Sequence, residues 1–137
     1  MKYSQLLSTT SKESVSNVDI PSQELLVRAG YIRQLSAGIF TAMHLGLRSF
    51  RKIEQIIRRE MDAIGGVEIS MPVVHPAAIW KRTGRYEEVD ESLVRFQDRA
   101  GRDMVLGMTH EEVVASLVQS DIRTYRQLPK LVYQIQT

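Results

Sequence analysis

The sequence predicts an α+β domain with a mainly antiparallel sheet. The spacing of apolar residues changes repeatedly between the period of two that is typical of strands and the three-to-four spacing of helices. Several extended segments follow one another across short turns, without the regular strand–helix alternation of a parallel sheet. The 137 residues, 43% apolar and 25% charged, fit one globular domain and argue against disorder, collagen and membrane spans.

Composition narrows the function only by exclusion. Eighteen Lys and Arg against sixteen Asp and Glu leave a net charge of +2, which is too small to indicate a nucleic-acid partner. The absence of cysteine excludes disulfides, thiolate zinc sites and thiol nucleophiles, and it fits a reducing setting. The start of the chain lacks the apolar core of a signal peptide, so we expect a cytoplasmic protein without a membrane partner.

The first thirty residues are predicted to form a polar arm followed by a short helix. Residues 1–20 are polar and rich in serine, which favours an irregular lead-in rather than a packed element. Ser22 is the predicted N-cap of a helix over 23–29. Gly30 is well placed to end this helix in the left-handed conformation.

A hairpin and a long amphipathic helix are expected next. Strands over 31–35 and 39–44 are predicted to pair around a turn that contains glycine. A helix over 46–64 follows, and two glycines end it before a short strand over 67–71, which Pro72 terminates. The helix is predicted from apolar residues three or four positions apart: Leu47, Phe50, Ile53, Ile57, Met61 and Ile64.

The remaining elements are predicted with less regular patterns. They are a brief helix over 76–80, a charged loop over 81–91, antiparallel strands over 93–97 and 103–108, a helix over 109–119 and a strand over 131–136. Trp80 is expected to anchor the charged loop from below. The basic residues of that loop are followed directly by acidic ones, so we expect a solvated surface there.

The motifs of several enzyme classes are missing. The three histidines, His44, His75 and His110, are too far apart for a local metal motif. No Gly-x-Gly-x-x-Gly, P-loop or Gly-x-Ser-x-Gly sequence is present. A catalytic role must therefore come from a less common pattern, if the chain has one.

The segment Thr109-His110-Glu111-Glu112 allows two interpretations. The commoner one is a capping box, with Thr109 as N-cap and Glu112 at the third helical position. In the functional one, Glu111 faces a cleft and holds an ammonium group, to which Thr109 contributes a second hydrogen bond as acceptor. Only one of the two glutamates is needed for the cap, so the interpretations are compatible.

The apolar stripe of the long helix also allows two interpretations. Such a stripe is more often packed against its own sheet than against another chain. A homodimer interface is the alternative, because two-fold dimers are the commonest oligomers.

An ordered series of motifs resembles the start of bacterial-type prolyl-tRNA synthetases. The series covers nearly all of the chain from Pro21 onward, and the order of its members is more specific than any one of them. Its main members are Leu26-Val27-Arg28-Ala29-Gly30, Ala37-Gly38-Ile39-Phe40-Thr41, Met71-Pro72, Thr83-Gly84-Arg85, Arg95-Phe96-Gln97-Asp98-Arg99, Thr109-His110-Glu111-Glu112, Tyr125-Arg126-Gln127-Leu128-Pro129 and Tyr133-Gln134-Ile135-Gln136-Thr137.

The resemblance implies that 21–137 is the N-terminal portion of a class II aminoacyl-tRNA synthetase catalytic domain, with an antiparallel sheet, flanking helices and further strands outside this chain. Such an enzyme activates L-proline with ATP and Mg²⁺ and transfers it to tRNA(Pro). Thr109 and Glu111, in the loop 109–111, would bind the proline ammonium. Met108 departs from the family pattern, in which proline precedes the threonine.

The resemblance also implies a homodimer and an incomplete catalytic site. The first class motif would cover about 46–72, with the dimer interface at Phe50, Ile53, Ile57 and Pro72. The second motif would begin with the strand over 131–137, and its arginine that binds the α-phosphate would follow Thr137. We therefore expect no catalytic residue and no metal ligand within this chain.

Two alternatives remain open from the sequence. The chain could be a non-catalytic binding or dimerisation module of synthetase-like origin, or it could belong to a class II synthetase for threonine or serine. Continuation of the gene into the second motif would separate the enzyme from the module. The amino acid that supports pyrophosphate exchange would identify the synthetase.

Overall fold

The computed structural model describes residues 2–12 and 20–136. It contains two compact units, Met1–Glu60 and Met61–Thr137, which are described separately below. Part of the predicted polar arm, residues 13–19, lies outside the described residues. Within the described ranges, no helix is both long enough and apolar enough to cross a membrane.

The first unit contains the predicted helix, hairpin and long helix. Its elements are a 3₁₀ helix at Tyr3–Gln5, α1 at Pro21–Arg28, β1 at Ile32–Ser36, β2 at Ile39–Ala42 and α2 at His44–Ala63, whose last residues belong to the second unit. β1 and β2 pair antiparallel, as predicted, with Ile32 opposite Ala42. Gly30 has a φ of 75° and follows α1 as expected.

The predicted N-cap of α1 is wrong by two residues. Ile20 is the N-cap residue, without a side-chain cap, and Pro21 lies in the first turn. Proline fits that position because its fixed φ is helical and its missing N–H would have no helical partner there. Ser22 is therefore inside the helix.

The start of the chain contacts the helix and the hairpin of the first unit. Arg33 of β1 donates to the carbonyl oxygens of Thr9 at 2.6 Å and Val27 at 2.8 Å. The backbone N–H of Ser11 donates to the carbonyl of Arg28 at 2.9 Å. These bonds fix residues 9–11 to α1 and β1.

The second unit has a three-stranded sheet, a separate strand pair and three α-helices in its described part. Its elements are β3 at Val67–Glu68, β4 at Val74–Pro76, α3 at Ala77–Arg82, α4 at Arg85–Glu88, β5 at Arg95–Gln97, β6 at Asp103–Leu106, α5 at Glu111–Asp121, a 3₁₀ helix at Tyr125–Gln127 and β7 at Val132–Tyr133. The order β4-β6-β5 is antiparallel throughout. β3 and β7 instead pair in parallel.

Helix α3 covers one face of the three-stranded sheet and forms the core of the second unit. Trp80 and Val105 are fully buried, and Ala77 and Leu93 are 1% and 2% exposed. Trp80 is thus the anchor that the sequence predicted. The other sheet face is open: Leu106, which alternates with Val105, is 41% exposed. The face of β6 that carries Val105 is buried, because α3 packs against it. The face that carries Leu106 is the more apolar of the two, but it stays open.

Candidate functional site

The predicted binding loop joins β6 to α5. Helix α5 begins at Glu111, and its N-cap residue is His110, which makes no side-chain cap hydrogen bond. The predicted capping box of Thr109 and Glu112 is therefore wrong. The carboxylate of Glu112 lies instead against the guanidinium of Arg85, and the residue is only 4% exposed. Leaving a buried carboxylate without a charged partner costs more free energy than leaving a helix N-terminus without this side-chain cap. Glu112 therefore pairs with Arg85.

Arg85, the first residue of α4, brings the polar side chains of this region together. Its Nη1 donates to Glu112 Oε1 at 2.7 Å and to Thr109 Oγ1 at 3.3 Å, and its Nη2 donates to the same hydroxyl oxygen at 3.4 Å. Nη1 also lies 3.6 Å from Oε2 of Glu111. The guanidinium carbon is 4.8 Å from the centroid of the Trp80 ring, in cation–π contact.

The side chain of Glu111 is exposed to solvent, and its neighbours favour its ionised form further. The hydroxyl of Thr109 lowers the pKa of this carboxyl below its ordinary value of 4.5, with further contributions from the backbone N–H of Glu111 itself and from Arg85. Because the pKa is lowered, the negative charge is present above it and is lost only when the pH falls through it. The side chain is 72% exposed, so the charge can reach a ligand.

His110 joins the loop to the segment before β4, and His75 packs against Gly107 at the start of the loop. Trp80 donates its indole N–H to Nδ1 of His75 at 3.1 Å, so the imidazole proton lies on Nε2, which donates to the carbonyl of Pro72 at 2.8 Å. His110 Nε2 lies 3.2 Å from the same carbonyl oxygen. His75 is fully buried against Gly107. The backbone N–H of Gly107 donates to the carbonyl of Val73 at 2.8 Å, so both ends of the loop are bonded to the segment before β4.

Glu111 borders an open cleft of about 640 Å³ in the second unit. This volume is within the usual range for small-molecule sites, about 300–1,000 Å³. One carboxylate beside mostly apolar side chains suits a small ligand that carries an ammonium group on an apolar body. The cleft is lined by Met71, His110, Glu111, Val114, Ala115, Val118, Val132, Tyr133 and Gln134.

A second cavity, of about 380 Å³, lies between α3 and β6. The ion pair of Lys81 with Asp103 at 2.7 Å spans part of its wall. Neither Thr109 nor Glu111 contributes to it. We therefore take the cleft beside Glu111 as the candidate site.

The residues predicted for a dimer interface are exposed. Phe50, Ile53 and Ile57 lie on one stripe of α2 and are 48%, 55% and 45% exposed. In the second unit Pro72 is also exposed, and it lies beyond the end of β3 at Glu68 rather than at the end of a strand. The predicted strand over 67–71 is thus shorter than expected.

Sequence reasoning missed the role of Arg85. It grouped this residue with Lys81 and Arg82 as part of a solvated loop. Those two bond exposed partners, whereas the Arg85 side chain is one-third exposed and pairs with buried Glu112. The only signal was the Thr83-Gly84-Arg85 motif, to which no role was attached.

The fold is shared with a domain of an aminoacyl-tRNA synthetase. A solved structure described as the RNA-binding domain of threonyl-tRNA synthetase from Cryptosporidium parvum matches with a TM-score of 0.67 and 21% identity. The match covers 75% of this chain and 26% of that one. The α+β class predicted from the sequence is confirmed.

Several curated proteins named proline–tRNA ligase are similar to this chain. The chain is 49% identical over all 137 residues to the protein of Thermodesulfovibrio yellowstonii and 50% identical over 137 residues to that of Syntrophus aciditrophicus. The identity to the protein of Fervidobacterium nodosum is 48% over 135 residues. The chain spans 24% of the length of each of these relatives. No protein-family model matches it.

Proposed function

We propose that this chain is a segment of a proline–tRNA ligase, within the catalytic domain of a class II aminoacyl-tRNA synthetase. The observation that carries the proposal is the near 50% identity to proline–tRNA ligases along the whole chain. The cleft beside Glu111 supports the proposal, because the ionised carboxylate places a negative charge where the ammonium group of an amino acid could bind. The longer protein that contains this segment is referred to below as the complete ligase.

Glu111 binds the secondary ammonium of proline by a charge-assisted hydrogen bond, while the apolar wall of the cleft contacts the pyrrolidine ring. This contact fixes the direction of the proline carboxylate. One of its oxygens then attacks the α-phosphate of ATP, a new oxygen–phosphorus bond forms, and pyrophosphate leaves with the electron pair of the broken bond. In the second step a ribose hydroxyl of tRNA(Pro) takes the prolyl group and AMP is released.

The contribution of this segment is alignment rather than covalent catalysis. Holding the amino acid in the attacking geometry removes much of the entropic barrier to the first step. ATP is a substrate of the complete ligase, and Mg²⁺ is its cofactor. We assign the Mg²⁺ no protein ligand here, because residues 2–12 and 20–136 contain no group of three or more His, Asp or Glu side chains arranged to hold a metal ion.

The proposal includes two partners besides L-proline. These are tRNA(Pro), which accepts the prolyl group, and a second copy of the protein, which packs on the apolar stripe of α2. Packing of two such stripes against each other would remove Phe50, Ile53 and Ile57 from water. The proposal also keeps the cytoplasmic location that is expected from the sequence.

Substitution of Glu111 in the complete ligase tests the proposal. Glu111→Gln should lower proline-dependent exchange of pyrophosphate into ATP by at least about 100-fold, because the amide cannot balance the ligand's charge. Glu91→Gln, at an exposed loop glutamate of the same unit, is the matched control and should leave exchange unchanged. Near-normal exchange by the Glu111→Gln variant would contradict the role that is assigned to this residue.

The identity of the amino acid is tested by the same assay. Exchange by the unmodified complete ligase should depend on proline and not on threonine or serine. Preference for either of these two would replace the proposal by another class II synthetase. Absence of exchange with every standard amino acid would favour a non-catalytic binding or dimerisation module.

A further inference from the structure

The cleft beside Glu111 has polar side chains as well as apolar ones. Four of its lining residues carry side chains that can form hydrogen bonds: His110, Glu111, Tyr133 and Gln134. An amino acid has two charged ends, and an ionised Glu111 can only accept, so it binds the ammonium and not the carboxylate. The carboxylate of the ligand needs a donor that is not already bonded to a protein acceptor.

Two of these side chains have used their donors within the protein. The hydroxyl of Tyr133 donates to Oδ1 of Asp62 at 2.8 Å. His110 Nε2 lies 3.2 Å from the carbonyl oxygen of Pro72, and since a carbonyl can only accept, this nitrogen carries the proton and donates it there. In the neutral imidazole the other ring nitrogen is then an acceptor. Neither side chain therefore offers a donor to the carboxylate of a ligand.

The side-chain amide of Gln134 is oriented by the backbone of another segment. The N–H of Met71 donates to Gln134 Oε1 at 3.1 Å. Because this position requires an acceptor, the oxygen occupies it, and the Nε2 amino group lies on the other branch of the amide. Nε2 has no hydrogen-bond partner among the residues that the structure describes. Its two N–H groups are therefore available, on a half-buried side chain that lines the cleft.

We propose that Gln134 is a further binding residue of the amino-acid site, whose amide nitrogen donates to the carboxylate of the amino acid while Glu111 accepts from the ammonium. The inference rests on the proposed function and adds a residue from a second segment to the site. Glu111 is the first residue of α5, whereas Gln134 directly follows β7. The cleft then has one acceptor and one donor for the two charged ends of its ligand.

A neutral donor suits a carboxylate that must act as a nucleophile. A hydrogen bond from an uncharged amide is weaker than one from a guanidinium or an ammonium, so it withdraws less negative charge from the attacking group. Nε2 can bind one oxygen of the carboxylate and leave the other to attack the α-phosphate of ATP. Together with Glu111, Gln134 then fixes the direction of the attack.

Gln134→Glu in the complete ligase separates this role from a purely structural one. The glutamate keeps an oxygen that accepts from the N–H of Met71, but it replaces the amino group by a second, negatively charged oxygen. The dissociation constant for L-proline, measured by titration calorimetry, should rise at least about 100-fold, because a like charge would face the ligand's carboxylate.

L-Prolinol is the second ligand of this experiment, since it has the ring and the ammonium of proline but a hydroxymethyl group instead of the carboxylate. Its dissociation constant should change by less than about threefold in Gln134→Glu, because a hydroxyl can donate to the new carboxylate. Gln119→Glu is the matched control. Gln119 also uses its Oε1 as an acceptor, from Arg82, but it lies outside the cleft, so this change should leave both constants unaltered.

Two results would overturn the inference. One is a normal dissociation constant for proline in Gln134→Glu, and the other is an equal rise for proline and prolinol, which would show a general loss of structure. If Gln134→Glu does not fold, Gln134→Met removes the donor without adding a charge. The ratio of the proline constant to the prolinol constant must then rise about 10-fold, the effect of losing a hydrogen bond to a charged group, and an unchanged ratio would contradict the proposal.

Failure of this inference is distinguishable from failure of the proposed function. If Glu111→Gln abolishes the binding of both ligands while Gln134→Glu binds proline normally, only the role of Gln134 is lost. If Glu111→Gln binds both ligands normally, the assigned amino-acid site is wrong, and the role of Gln134 falls with it.

Discussion

The imidazole of His75 leaves no room for a side chain at Gly107. A Cβ placed there would collide with three atoms of the ring. The ring cannot move aside easily, because it is held by hydrogen bonds to Trp80 and Pro72. Glycine is therefore required at position 107 because the His75 ring occupies the space of a Cβ, and not because the backbone is left-handed.

We expect Gly107→Ala to destabilise the protein by about 1–3 kcal/mol, the usual cost of overpacking a rigid site. The decrease should appear as a lower midpoint of thermal unfolding of the complete ligase. His75→Ala provides the background that tests the cause, since it removes the ring that the new methyl group meets. In that background the same glycine substitution should change the midpoint little, and an undiminished shift would contradict the collision.

At the scale of single residues, the sequence predicts types of contact better than partners. Trp80 was expected to be an anchor, since a large aromatic beside a charged loop is commonly buried. The pairing of Glu112 with Arg85 was missed, because the capping-box spacing offers a local partner and the true one lies 27 positions away. A capping box does form at Thr124 and Gln127.

Among the elements, α2 and the hairpin were predictable, since each has a strong local pattern. The helix combines regular apolar spacing with charged residues between, and the hairpin has Gly38 at a φ of 74° in its turn. Helix α4 and strand β4 were not expected. They have four and three residues, too few for a period to be recognised.

The pairing of β3 with β7 was beyond sequence reasoning for another reason. Each strand has only two residues, and the partners are far apart in the chain. No turn joins the two strands, so no local sequence pattern predicts their register or direction. Their parallel arrangement is the part of the topology that only the three-dimensional packing determines.

The stripe on α2 leads to a prediction about assembly. Ile57→Glu should convert the proposed homodimer of the complete ligase into a monomer, because a carboxylate in a two-fold apolar contact would be buried twice without a partner. Sedimentation velocity at micromolar concentration measures the change. Gln55→Glu adds the same charge on the opposite side of the helix and should leave the dimer intact. A dimer that survives Ile57→Glu would exclude this stripe as the interface.

For the molecule as a whole, we expect the 137-residue chain to have no ligase activity when it is purified alone. It contains the proposed ammonium site, whereas the proposed function expects the arginine that binds the α-phosphate in another part of the complete ligase. Without that charge the developing negative charge on the phosphate is not stabilised. Incubation with labelled proline and ATP should yield no prolyl adenylate, while the complete ligase assayed in parallel does. Adenylate formed by the short chain would contradict this assignment.

The contacts that hold β7 beside β3 close a long loop. Met71 and Gln134 are bonded across 63 positions, and Asp62 and Tyr133 across 71. Closure of so long a loop has a large entropic cost, which is recovered only after the ends have met. We therefore expect this strand pair to form late during folding and to open early during unfolding. Amide protons of β7 would then exchange with solvent faster than those around Trp80, although both belong to one compact unit.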